Sequence, residues 1–139
     1  MNCIFCKIVR AEAPAFKVCE DDHTVVFMDI NPVTDGHTLV VTKEHFDTVF
    51  DTSVESLQAV AAASHRVARA LRAVLRPEGL MVFQLNGAAA GQTVFHYHMH
   101  LMPRAAGEPL ALHTRVAGDP QRLRELADAL ATELARTAG

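Results

Sequence analysis

His96, His98 and His100 occupy alternate positions in Val94–Met102 (VFHYHMHLM). In an extended strand successive side chains point to opposite faces, so the three imidazoles would line one face, with Tyr97, Met99 and Leu101 on the other. A row of imidazoles in solvent has no structural advantage, and one in a core leaves ring nitrogens in need of partners. Three within five residues therefore point to chemistry. One possibility is a catalytic zinc held by the three rings with an open water position. The other is a nucleophilic imidazole attacking phosphorus or carbon, with its neighbours orienting it and stabilising charge. Gly91-Gln92-Thr93, immediately upstream, favours the second, since backbone N–H groups, an amide and a hydroxyl could cradle a phosphate or oxyanion. An imidazole of pKa near ~6.5 is largely neutral at pH 7, and so able to attack.

Cys3 and Cys6 form a C-x-x-C pair that could fill two of four tetrahedral positions around a metal. A redox pair of this spacing normally follows a strand and opens a long helix, and no strand candidate precedes this one. Further ligands would have to be histidines brought close by folding, because Cys19 is isolated and reads as a small apolar residue. The alternative is an unmetallated, frayed end. The first residues lack a basic segment followed by an apolar stretch, so the expected compartment is the cytoplasm, where thiols stay reduced.

These residues must be positioned by surrounding elements. Phe16–Glu20, Thr24–Ile30 and His37–Thr42 are short β-branched and aromatic runs that predict strands, with Asn-Pro and Asp-Gly turn signals between the last two. Thr52-Ser53-Val54-Glu55 predicts a capping box opening a helix whose apolar stripe runs from Leu57 through Val60, Ser64, Val67 and Leu71 to a stop at Pro77. Arg66, Arg69, Arg72 and Arg76 make a second stripe, read as a solvated face. Gly79–Leu85 and Val94–Met102 predict a hairpin joined by the turn Asn86–Gln92. Asp119-Pro120 predicts the cap and first turn of a C-terminal amphipathic helix carrying Leu123, Leu126, Leu130 and Leu134. Residues 104–118, with His113 and Arg115, show no period and predict an irregular loop.

The chain has 139 residues, 50% hydrophobic and 21% charged, which suits one globular domain and excludes disorder. Gly79–Pro103 carries no Asp, Glu, Lys or Arg, but Gln84, Asn86, Gln92 and three histidines make it a poor membrane span. Thirteen Lys and Arg against sixteen Asp and Glu, a net charge of −3, removes the basic surface of a general nucleic-acid binder. An anionic ligand must then be held by local donors. The expected class is α+β with a mainly antiparallel sheet.

The segment His96-Tyr97-His98-Met99-His100-Leu101-Met102 resembles, without a gap, the His-φ-His-φ-His-φ-φ motif of the histidine triad (HIT) superfamily, φ being apolar. Gly91–Phe95, Pro103-Arg104, Asp29-Ile30, Gly36–Val40 and Cys3–Ile8 extend the likeness to the small bacterial HIT hydrolases. It covers about residues 1–104, leaving 105–139 as a variable loop and helix within a single domain, 1–139. The resemblance implies a five-stranded antiparallel sheet with one long central helix and a C-terminal helix, paired as a homodimer. It also implies cleavage at the α-phosphorus of a purine nucleotide, a phosphoramidate or a dinucleoside polyphosphate, with release of a nucleoside monophosphate. By this resemblance His98 is the nucleophile, His96 lies behind it, and His100 and His37 lie around the phosphate. Asp29 would take the ribose hydroxyls, Ile30 and Phe27 the base, and Gln92 and Thr93 the phosphate or leaving group, with Asn86 a further substrate contact. Thr93 stands where many relatives of the Hint-like branch carry serine. The resemblance further implies one structural zinc on Cys3, Cys6, His45 and His96. A nucleotide-binding regulatory or scaffold protein and a zinc-dependent hydrolase using the histidine row are the rival functions; neither nucleic acid nor membrane is expected as the main partner.

Overall fold

Residues 2–110 and 116–138 are described by a computed structural model. Five strands, β1 (Lys17–Glu20), β2 (Thr24–Met28), β3 (Thr38–Thr42), β4 (Gly79–Phe83) and β5 (His98–Arg104), form one antiparallel sheet in the order β1-β2-β3-β5-β4. Among the described residues three α-helices accompany it, α1 (Ile4–Val9), α2 (Val54–Leu75) and α3 (Pro120–Thr137). The α+β class and the antiparallel five-stranded sheet agree with the sequence reading.

Every residue of β2 and β3 is buried, because these strands are covered on both faces. Val26, Met28, Val40 and Leu101 face the long helices, joining Val60, Val67 and Leu71 of α2 and Leu126 and Leu130 of α3. Val25, Phe27, Leu39 and Val41 face the other way and form a second core with Phe5 of α1. The register pairs Val41 with His98 and Leu39 with His100. His98 and His100 therefore share the α1 face, while Met99 and Leu101 pack toward α2, as strand alternation requires.

Local chemistry moves several boundaries. The cap of α2 is Ser53, whose side chain accepts from the Ser56 N–H at 3.1 Å, so the expected Thr52–Glu55 box is not formed. Thr52 donates to the Thr48 carbonyl instead, and Glu55 pairs with His23. The α2 stop before Pro77 and the Asp119 cap of α3 stand as read. Strand β5 starts at His98 and not at Val94, because the Tyr97 N–H turns out of the ladder to the Phe46 carbonyl at 2.7 Å. Strand β2 ends at Met28: Asp29 accepts the Asn31 N–H at 2.9 Å in a tight turn, and Ile30 lies beyond the sheet. Helix α1 was not legible at all. Residues 111–115, with His113 and Arg115, lie outside the described residues.

Gly36 holds the turn before β3 at a φ of +92°, and a Cβ there would run into Leu75 Cδ1 and sit 3.1 Å from Pro103 Cγ. Gly36→Ala combines left-handed strain with overpacking between α2 and β5, so we expect a loss of about 2–4 kcal/mol. Thermal unfolding monitored by circular dichroism should show the midpoint falling by roughly 6–15 °C; an unchanged midpoint would mean the turn relaxes freely.

Candidate functional site

His98 is set by a short hydrogen bond from its Nδ1 to the His96 carbonyl oxygen at 2.6 Å. A carbonyl can only accept, so the proton of the neutral ring is on Nδ1 and the lone pair is on Nε2. Its ring lies 4.7 Å from that of His100 and 5.0 Å from that of Phe5, which presents its edge at 85°. His100 is stacked on Phe83 of β4, with centroids 4.5 Å apart and planes 5° from parallel. That stacking follows from the β4–β5 register, which places Phe83 directly opposite His100.

Behind His100 stands His37, only 2% exposed. Its Nδ1 accepts the Val33 N–H at 3.2 Å, which assigns the proton to Nε2, 3.0 Å from His100 Nδ1 and 3.7 Å from Asp29 Oδ2. The chain from Val33 through His37 fixes His100 as acceptor at Nδ1, leaving its Nε2 as the donor. His37 thus orients His100 from within the core, and is not a wall of the cavity beside it.

That cavity, of about 400 Å³, has an apolar side made by Ile4, Phe5 and Ile8 of α1 with Phe27 and Leu39, and Ile30 at its rim. Its polar side carries Asp29, Asn31, Thr93, His98 and His100. Asp29, Ile30, Phe27, Thr93, His98 and His100 are therefore brought together around one cavity. Asn86 and Gln92 are not part of this wall. Gln92 Oε1 accepts the Gly87 N–H at 2.7 Å while its Nε2 donates to the Asp47 and Val94 carbonyls at 2.7 and 3.1 Å. Asn86 Oδ1 accepts the Val49 N–H at 2.7 Å, and its amide group is paired with Gln84. Both side chains hold the loops together. The N–H groups of Gly91 and Gln92, expected as a cradle, bond the Ala88 and Gly87 carbonyls and close a short 3₁₀ turn. Phe5 and Phe83 are site residues missed by reading the sequence.

On the far side of His98 a second group of donors converges. The ligand atoms of Cys3, Cys6, His45 and His96 all lie within 4.8 Å of one another. His96 Nε2 donates to the Thr42 carbonyl at 2.6 Å and His45 Nε2 to Asp47 Oδ1 at 2.8 Å, so both rings turn an Nδ1 lone pair inward. These two Nδ1 atoms are 3.2 Å apart, and His96 Nδ1 is 3.4 and 3.5 Å from the Cys3 and Cys6 sulfurs. Facing lone pairs at such a distance repel unless a cation or a proton lies between them. A tetrahedral zinc with bonds of about 2.0–2.3 Å spaces its ligand atoms by roughly 3.3–3.8 Å, and the outer nitrogens carry the acceptors that such sites use. The donor set therefore fits zinc. Burial pushes the Cys6 thiol up, with Cys3 adding to the shift, and burial lowers His96 to about 4. The histidine row, by contrast, does not converge on one point: His96 faces the cysteines, His98 Nδ1 a carbonyl and His100 Nδ1 His37. The reading of the three as a joint metal site is thereby corrected.

A HIT domain model matches residues 10–107. The chain belongs to the HIT family. It is 41% identical over 138 residues to Protein hit of Bacillus subtilis, covering 96% of this chain and 95% of that protein. It is 41% identical over 106 residues to an adenylylsulfatase of Arabidopsis thaliana, covering 74% of this chain and 52% of the other. The crystal structure of a Zn-bound histidine triad family protein from Mycobacterium smegmatis superposes with a TM-score of 0.87 at 40% identity, covering 99% of this chain and 96% of that one. The match to that structure takes in the region of α1 and the cysteines, which the family model leaves out. Among the described residues, no helix of this HIT protein is long and apolar enough to cross a membrane.

Proposed function

We propose that this protein is a nucleotide hydrolase or transferase acting at the α-phosphorus of purine nucleotides, with phosphoramidates or dinucleoside polyphosphates as substrate class. The observation that carries this reading is His98: its Nδ1 proton is committed to a carbonyl at 2.6 Å, and its ring lines the same cavity as the Asp29 carboxylate. An acidic acceptor beside an apolar slot suits ribose hydroxyls and a base, and an imidazole with its lone pair on Nε2 suits attack on the phosphorus between them and the leaving group. In the first step the Nε2–P bond forms and the bond from phosphorus to the leaving oxygen or nitrogen breaks, the electron pair departing with the leaving group, which takes up a proton from solvent. In the second, water attacks phosphorus and gives up a proton to solvent, the N–P bond breaks with its electron pair returning to Nε2, and the nucleoside monophosphate leaves. His100, held by His37, and the Thr93 hydroxyl donate to the phosphoryl oxygens, where preorganised donors contribute most. The adenylylsulfatase relative supports hydrolysis as the reaction class and an adenylyl compound among the substrates to be tried.

Cys3, Cys6, His45 and His96 would hold one zinc, which when bound supplies a closed structural anchor with no open coordination position. A homodimer belongs to the same proposal: β4 is one of the two edge strands of the sheet and its Val82 is half exposed. So does a cytoplasmic setting, which keeps the cysteines reduced.

The reading is tested by incubating the protein with adenosine phosphoramidate, diadenosine polyphosphates and adenosine phosphosulfate in ¹⁸O-water. The expected outcome is AMP carrying the label from at least one class, with an adenylyl adduct on the peptide containing His98 after an alkaline quench. No AMP from any of the three, from protein that binds AMP, favours the regulatory or scaffold reading instead.

A further inference from the structure

Ile4 and Phe5 are the two residues enclosed by Cys3 and Cys6, and both line the cavity that holds His98 and Asp29. The loop around the donor cluster and the apolar wall of the cavity are thus one piece of chain. Helix α1 spans six residues, far below the ~12–15 at which an isolated helix holds in water, so tertiary anchors must place it. Phe5 is one anchor, buried edge-on against Phe27 at 5.3 Å and His98 at 5.0 Å. The other is the cluster, through which Cys3 and Cys6 meet His45 and His96. A second connection runs through the main chain, since the His96 carbonyl that orients His98 belongs to a residue of the cluster.

We propose that zinc in the Cys3–Cys6–His45–His96 cluster and a nucleoside monophosphate in the cavity bind cooperatively, Ile4 and Phe5 being the positioning residues that transmit the effect. The inference rests on the nucleotide reading of the cavity. Zinc stiffens the wall against which the nucleoside packs, and the nucleoside, by closing on that wall, stiffens the segment that carries both thiolates. Such coupling is reciprocal: each ligand must strengthen the other by the same factor.

The test measures AMP affinity by calorimetry on zinc-loaded and chelator-stripped protein, and zinc affinity against a competing chelator with and without saturating AMP. The expected result is a loss of about tenfold in AMP affinity on stripping and an equal gain in zinc affinity with AMP. Equal AMP affinities in the two forms overturn the coupling, as does protein that cannot take up zinc; AMP binding to neither form overturns the nucleotide reading instead. If stripping unfolds the chain, Ile4→Ala in the zinc-loaded protein decides, because Ile4 is 48% exposed and can be shortened without opening the core. The factor by which AMP strengthens zinc should then shrink, and an unchanged factor refutes the proposal.

Discussion

His98→Asn is expected to lower kcat by on the order of 10⁴ while leaving AMP affinity within a few-fold. The asparagine amide can still donate to the His96 carbonyl, so the start of β5 keeps its shape, but no nucleophilic nitrogen remains to form the bond to phosphorus. Binding should persist because the apolar wall, Asp29 and Thr93 are untouched. Removing a donor that only stabilises charge is a smaller lesion, of about 10²–10³; His100→Asn, whose Oδ1 can still accept from His37 but which lacks the Nε2 donor, should fall in that range. The comparison of the two variants in one steady-state assay separates a covalent path from direct attack of water. If His98→Asn and His100→Asn lost similar, modest factors, His98 would be a charge stabiliser and the nucleotidyl-histidine would have no support.

The contrast between the two histidines explains how far the sequence could be read. Alternation in a strand is a rule of backbone geometry, so the shared face of His98 and His100 followed from their spacing alone. His96 lies two residues before β5 begins, and its ring meets Cys3, Cys6 and the Thr42 carbonyl. Phe83 lay beyond reach: its stacking on His100 depends on the β4–β5 register, which neither strand's own residue pattern states. Gln92 and Asn86 were expected as substrate contacts, and side-chain amides near a glycine turn do not announce whether they will meet a ligand or the backbone. Helix α1 was missed because six residues carry too little periodicity to register, and its cap is a cysteine sulfur that accepts the Cys6 N–H at 3.4 Å. The C-x-x-C spacing spoke for a metal, but not for the wall of a cavity.

Loss of the cluster should show in stability even where activity is not assayed. Cys6 Sγ lies 3.2 Å from His45 Nδ1 and 3.5 Å from His96 Nδ1, so Cys6→Ser removes a thiolate that faces both rings. The variant is expected to purify with far less than one zinc per chain. A ligand present at ~1,000 times its dissociation constant stabilises the fold by about 4 kcal/mol, and this fold, having two apolar cores of its own, should lose that much and stay folded. Acid should reproduce the effect on the wild type. His96 is fully buried and falls to about 4, below its unfolded value near ~6.5, so the unfolded chain binds the extra proton between those limits. In the metal-free protein the contribution of this group is therefore full above about pH 6.5 and is lost as pH falls toward 4. Bound zinc excludes the same proton, and displaced thiolates take up protons of their own, so metal release in acid adds to the decline in the same direction. Urea midpoints measured from pH 7 to 4, with zinc and with chelator, should converge as the metal is lost. A wild type whose midpoint ignores both chelator and acid over that range would show that the four donors hold neither zinc nor the N-terminal helix.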